Sequence, residues 1–295
     1  MGLNREEHQK CQGNNESVFL FLYRKICYTG CRNYTGGIVM FKHVIVRKPA
    51  RSMIDGITSA PELGKPDYEL AVKQHDAYIE ALRSCGVEVT ELPALEDYPD
   101  ACFVEDVAVV TRKCAIITNP GAASRNGEKE HIVETIRKFY KEDQIEYIKA
   151  PGTLEGGDVM MVGDHFYVGR SARTNEEGIR QFIDILKKYG LSGSEVTLEE
   201  VLHLKTGVNY LENDTFLVSG EFIEKEEFKN SRLILIPDDE AYAANCIWVN
   251  GKVIVPSNFP KVAQLVREAG YEVICTDTSE YRKLDGGLSC LSLRF

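Results

Sequence analysis

The stretch KLDGGLSCLSLRF, residues 283–295, sets one thiol, Cys290, after an acidic Asp285 and a Gly286-Gly287 pair. A structural cysteine there would act as a small hydrophobe on a last strand, for which Leu291, Leu293 and Phe295 supply the alternation. A nucleophile would need a mobile turn before it and polar partners brought in from elsewhere. Candidate partners are present. In VLHLKTG, Leu202 and Leu204 alternate with His203 and Lys205, which places the last two on one face of an extended segment. In GTLEGGDVMM, Glu155 and Asp158 flank Gly156-Gly157, glycines that permit unusual backbone angles and close ligand approach. In YPDACFVEDVAVV three carboxylates, Asp100, Glu105 and Asp106, precede a run that is apolar from Val107 onward. Arg125 in PGAASRNG and Arg170 and Arg173 in VGRSARTN are loop arginines able to hold a carboxylate through a two-pronged contact. Read singly, each has a plain structural reading: a solvated turn, a tight β-turn, a surface histidine, solvated arginines. Read together they are a thiol, an imidazole and a set of carboxylates, a joint meaning that none has alone.

The rest of the chain bounds what that chemistry serves. Its 295 residues carry 35 Lys+Arg against 45 Asp+Glu, a formal charge of −10 with pI near 5.3. This argues against a nucleic-acid or anionic-membrane partner, both of which need clustered positive charge, and it favours small cationic ligands. Nine cysteines, an odd number without the spacing of a disulfide scaffold, read as reduced thiols in a cytoplasmic protein. Cys27 and Cys31 have no His or Cys pair of matching spacing for zinc. The apolar stretch VFLFLY is too short for a signal sequence or a membrane span. Residues 1–39 are turn-rich and irregular, and are expected to be an extension outside the fold of the kind an upstream start codon would add. Residues 40–295 have no Pro/Gly/Ser-rich linker and are expected to form one domain, as a monomer or a homodimer.

From Met40 onward, strand-like runs such as KHVIVRKP, CGVEVTELP, KCAIITNP, HFYVGRS, TFLVSGEF, RLILIPDD, CIWVNGKVIVP and GYEVICTD alternate with helical ones, which indicates an α/β or α+β class. Helices are expected over residues 67–84, 127–140, 175–189 and 259–269, each with apolar residues at three- and four-residue spacing and a turn residue beyond. Strands outnumber helices by about two to one, so a repeat of roughly 50 residues with several strands to each helix fits better than plain βαβ alternation.

In order and wording, PDACFVEDVAVV, ITNPGAASR, TLEGGDV, VGRSARTN, LHLK, IPDDEAYAANCIWVN and LDGGLSC resemble the dimethylarginine dimethylaminohydrolases of the guanidine-modifying superfamily, over Met40 to the end. The resemblance implies a five-bladed α/β propeller, or pentein, of ββαβ-type units about a central substrate channel, acting on methylated arginine without metal or organic cofactor. It implies Cys290 as nucleophile, His203 as general acid and base, and Glu155 as acidic partner, where some relatives carry Asp. Asp106 would hold the guanidinium, Asp100, Glu105, Asp158 and Asp285 would line the site, and Arg125 and Arg173 would hold the α-carboxylate. Arginine deiminases, a related class, carry an aspartate where this chain has Lys205, and a cation there cannot accept a guanidinium N–H. Arginine deimination or amidino transfer on the same scaffold is the alternative chemistry. The segment RKPARSM, residues 47–53, departs from the family's substrate-loop wording.

Overall fold

The first long β-branched run, HVIVR, forms β1 (His43–Arg47), whose last four residues are buried. It pairs in parallel with β2 (Glu88–Leu92) and antiparallel with a strand from the far end of the chain. The computed structural model describes residues 40–295, so the extension expected over residues 1–39 lies outside the described residues. Between β1 and β2 the chain makes the crossover that parallel pairing demands, through α1 (Tyr68–Ser84). Asp67 caps α1 by accepting the Leu70 N–H at 3.0 Å. Ala71, Tyr78, Ile79 and Leu82 then form its buried stripe.

The same plan recurs along the chain. β3 (Ala108–Val110) and β4 (Ala115–Ile117) form a hairpin, and β5 (Ile145–Tyr147) adds in parallel to β4. β6 (Val159–Val162), β7 (His165–Arg170) and β8 (Ser192–Thr197) repeat it, as do β9 (Val208–Tyr210), β10 (Thr215–Val218) and β11 (Arg232–Leu235). β12 (Ile247–Val249), β13 (Lys252–Pro256) and β14 (Glu272–Thr276) make the fourth copy. The unit holding β1 and β2 takes its hairpin partner from β15 (Leu293–Arg294). Among the described residues there are thus five three-stranded mixed sheets, each with one antiparallel and one parallel pairing, in agreement with the expected five ββαβ-type units.

Three of the four expected helices form as read. Besides α1 these are Glu176–Lys188, capped by Asn175 on the Gly178 N–H, and Pro260–Glu268, which opens on proline. The helix expected over residues 127–140 does not form. Ala123–His131 is a run of 3₁₀ turns and only Val133–Ile136 closes α-helical bonds. Asn126-Gly127 is a weak helix pair, and Arg125 and Glu128 are both drawn into the interior as an ion pair. The edge strand Ser192–Thr197 carries no strand signal in the sequence, because SGSEVT is half exposed and lacks apolar alternation. No helix among the described residues is long and apolar enough to cross a membrane.

Two short 3₁₀ turns, Val104–Val107 and Gly156–Asp158, meet backbone to backbone. A Cβ on Gly156 would fall on the Glu105 carbonyl oxygen and 2.9 Å from its carbonyl carbon. Neither turn can yield without moving Glu155 and Asp106. Gly156→Ala is therefore expected to lower stability by about 1–3 kcal/mol or more in denaturant unfolding, where a methyl on an exposed glycine would be nearly neutral.

Candidate active site

Cys290 sits on a 3₁₀ turn, Ser289–Leu291, immediately before β15. Its place near the end of the chain follows from the sheet pairing, since β15 must return to β1 and the turn before it is delivered to the middle of the molecule. The chain reverses at Asp285, the residue that adopts left-handed backbone (φ 58°), a conformation aspartate tolerates. The flexible Gly286-Gly287 turn expected from sequence is instead a packed one, because a Cβ on Gly286 would overlap the Phe103 ring.

A cavity of about 40 Å³ opens against Cys290, with walls that include Asp100, Asp106, Arg125, Glu155, Arg173, His203 and Asp285. His203 Nε2 lies 2.8 Å from Glu155 Oε2. The other oxygen, Glu155 Oε1, accepts the backbone N–H groups of Gly121 (3.0 Å) and Ala122 (3.2 Å). Both carboxylate oxygens are thereby fixed and the imidazole has one orientation. Asp106 Oδ1 accepts the Gly157 N–H at 2.9 Å, and Oδ2 meets Arg125 Nη1 at 2.6 Å. Gly157 must lack a side chain, since a Cβ there would come within 2.9 Å of the His203 ring. The glycine pair thus allows close approach of the protein's own groups.

Several expected site residues stand elsewhere. Glu105 is not in this cavity wall: its Oε1 meets Lys205 Nζ (2.6 Å) and Arg294 Nη2 (3.0 Å), and its Oε2 accepts the Ser289 hydroxyl (2.9 Å). Asp158 is wholly buried outside the wall, accepting the Ser171 hydroxyl and the Leu204 N–H. His203 and Lys205 do not share a face, because Leu204–Gly207 closes a helical turn in place of the extended segment. His203 lines the small cavity. Lys205 lines a second cavity of about 110 Å³ that contains Glu105 and Arg294 but none of Cys290, His203 or Glu155. The smaller cavity is the candidate site, because Cys290, His203, Glu155 and Asp106 converge there. Arg125 directs Nε and Nη2 to Glu128 and Nη1 to Asp106, while Arg173 reaches only to 3.8 Å from Glu155 and keeps the less occupied guanidinium. Glu128, three residues after Arg125, was legible as an i, i+3 partner and was not read. The segment after β1 forms a 3₁₀ turn, Arg51–Asp55, and the following loop seals the rim: Ile57 N–H donates to Asp100, and Ser59 donates N–H and O–H to Asp285.

The charges set the protonation states. Burial raises the Cys290 thiol to about 12, and the carboxylates of Glu105 and Asp106 act in the same direction against the smaller opposing effect of Lys205. Burial opposes the His203 cation, yet Asp158, Glu155 and Asp106 overcome it and hold its pKa up to about 9. Burial also works against the Asp106 anion, but Arg125 and His203 keep its pKa below the usual value, whereas burial prevails at Asp100 and Asp158 and raises theirs. At neutral pH the site holds a neutral thiol beside a charged imidazole.

The family model described as N,N dimethylarginine dimethylhydrolase, eukaryotic, matches residues 62–287. An N(G),N(G)-dimethylarginine dimethylaminohydrolase of Pseudomonas aeruginosa is 59% identical over 256 residues, 87% of this chain and 100% of that one. The chain belongs to the dimethylarginine dimethylaminohydrolase family. A Streptomyces coelicolor dimethylaminohydrolase is 36% identical over 254 residues, covering 86% of this chain and 96% of its own. The solved P. aeruginosa structure, a cysteine-to-serine mutant complexed with citrulline, superposes with a TM-score of 0.86 over 87% of this chain and 100% of its own. The N-terminal domain of an arginine dihydrolase, at 18% identity over 87% of this chain and 97% of its own, shares the fold alone with a TM-score of 0.76.

The raised His203 pKa has a consequence for stability in this dimethylaminohydrolase-family chain. Stabilisation by the charged imidazole is fully present below its unfolded value near 6.5 and is lost as pH rises through about 9. Thermal midpoints measured at constant ionic strength should therefore fall between those pH values in the parent relative to His203→Gln. Parallel curves would show that the imidazole is not charged by folding.

Proposed function

We propose that the protein hydrolyses Nω-methylated arginine to citrulline and the methylamine through a covalent adduct on Cys290. Support comes above all from one juxtaposition, in a member of this family: the Cys290 thiol, the Glu155–His203 pair and Asp106 share one small cavity. A guanidinium carbon is a poor electrophile because its charge is spread over three nitrogens, so catalysis needs both a cation site and a soft nucleophile. Asp106 and Glu155 hold the N–H groups by charge-assisted hydrogen bonds and set the carbon against sulfur. Asp100 and Asp285 shape the rim. Arg173 takes the α-carboxylate, with Arg125 supplying its remaining Nη1 N–H while it fixes Asp106. Glu105 and Asp158 act from behind the wall, on the Cys290 turn and on His203.

The bound cation lowers the thiol pKa, and the proton leaves to solvent. The thiolate then attacks the guanidinium carbon, forming the S–C bond. His203, already charged, gives its proton to the methylated nitrogen as the C–N bond breaks, and dimethylamine departs. A cationic thiouronium remains on Cys290. His203, now neutral, takes a proton from water as its oxygen adds to the same carbon. Expulsion of the Cys290 thiolate yields citrulline, and the proton shed from the new hydroxyl group ends on dimethylamine in solution. Lys205 stands outside this cavity, so position 205 brings no carboxylate to the guanidinium N–H donors, a shortfall that a nitrogen carrying methyls, with fewer protons to satisfy, feels less.

Incubation with dimethylarginine, monomethylarginine and arginine, followed by assay of citrulline and the released amine, tests the reading. We expect kcat/KM at least roughly tenfold higher for the methylated substrates than for arginine. Cys290→Ser should abolish turnover with the fold intact, and His203→Ala should slow turnover by about 10²–10⁴-fold and leave an adduct visible by mass. Activity in Cys290→Ser within tenfold of the parent would refute the covalent route. Equal or better turnover of arginine would favour a deiminase.

A further inference from the structure

The stretch IPDDEAYAANCIWVN has no part in the chemistry so far, yet Asn245 within it lies against Cys290. The chain there makes a 3₁₀ run, Asp238–Ala244, and then enters β12. Two of its side chains grip the turn that carries Cys290. The Tyr242 hydroxyl, 3.0 Å from Thr278 Oγ1, donates to the Gly286 carbonyl at 2.9 Å. Asn245, only 7% exposed, accepts the Ser289 backbone N–H on Oδ1 at 2.8 Å. Gly287 lies between these two anchors and must lack a side chain, because a Cβ there would come 2.7 Å from Asn245 Oδ1.

The Ser289 bond also decides which way the Asn245 amide faces. A backbone N–H can only donate, so the amide oxygen must meet it and the NH₂ must point the other way. That way lies Cys290 Sγ, 3.9 Å from Nδ2. The Ser289 hydroxyl is as close to the sulfur, at 4.0 Å, but donates its proton to Glu105 Oε2. A neutral thiol is a weak acceptor and a thiolate a strong one, so an N–H held here stabilises the sulfur chiefly after it ionises.

We propose that Asn245 is the positioning residue of the nucleophile: its Oδ1 fixes the Cys290 turn through Ser289 N–H, and its Nδ2 is held ready as the donor to the Cys290 thiolate. The inference rests on Cys290 being the nucleophile. It adds a donor to a setting in which Glu105 and Asp106 oppose the thiolate, Lys205 favours it, the Gly287 backbone N–H assists, and Tyr78 and Tyr242 stand by as phenols. His203, Arg125, Arg173, Glu155, Asp100 and Asp285 face it across the cavity.

The test is the pH profile of kcat for dimethylarginine in the parent, Asn245→Ala and Asn245→Asp, with thermal midpoints measured alongside. The acidic limb reports ionisation of the nucleophile in the substrate complex. Loss of the donor should lower kcat by about 10- to 100-fold with KM within about threefold, and should move that limb up by roughly 0.5–1 pH unit. Asn245→Asp retains an oxygen for the Ser289 N–H but sets a carboxylate against the sulfur, so its limb should move further up than that of Asn245→Ala, and a limb unmoved even there overturns the inference if the alanine variant does not fold. Mere loosening of the turn would lower kcat and the thermal midpoint without moving the limb, so an unmoved limb overturns the inference. An inactive Cys290→Ser control beside an unmoved limb rejects the Asn245 role alone, whereas a control that still turns over rejects the nucleophile reading and this inference with it.

Discussion

The pairing of Val44 and Ile45 with Arg294 and Leu293 is the constraint on which the rest of the structure depends. It joins the two ends of the described chain in one sheet and gives the first unit the hairpin strand that the other four find locally. Because the last strand must reach β1, the turn before it crosses the interior. There Ser289 and Arg294 bond to Glu105, and Cys290 faces the small cavity. A thiol five residues from the last residue is thus held as firmly as one in mid-chain.

Around that thiol the protein accumulates negative charge and then balances it unequally. Asp106 has Arg125, and Arg125 has Glu128. Glu105 has Lys205 and Arg294, and Glu155 has two backbone N–H groups and His203. Each ion is fixed by partners at hydrogen-bond distance, which is how such a set survives desolvation. The result is a site that disfavours one more anion and favours one more cation. A neutral thiol at rest and a charged imidazole beside it follow from the same imbalance. On the proposed mechanism the nucleophile is then formed where its target is already bound.

Much of this was legible in the sequence, and the failures have physical reasons. The motifs TLEGGDV, LHLK and LDGGLSC carried the three residues that the fold gathers at one cavity, Glu155, His203 and Cys290, because reactive groups need particular residue types. β-branched runs carried most of the strands for the same kind of reason. Position relative to the wall was not legible: Glu105 and Asp106 are neighbours in sequence, yet a 3₁₀ turn sends them to different cavities. Alternation misled at His203 and Lys205, where Leu204 begins a helical turn. Composition misled at Gly286-Gly287, whose small size serves packing while Asp285 makes the reversal. The α-helix expected over residues 127–140 failed because a buried ion pair, a tertiary interaction, outweighed local spacing.

The central claim is that the resting thiol is neutral and that the bound cation ionises it. Thiolate ultraviolet absorbance, taken as the difference between the parent and Cys290→Ser across pH, measures this directly with and without a saturating, unreactive alkylamidinium ligand. No thiolate from Cys290 is expected at neutral pH in the free protein, where burial pushes the thiol up to about 12, and a midpoint several units lower is expected with the cation bound. Thiolate at neutral pH in the free protein, or a midpoint that the cation leaves in place, would contradict it.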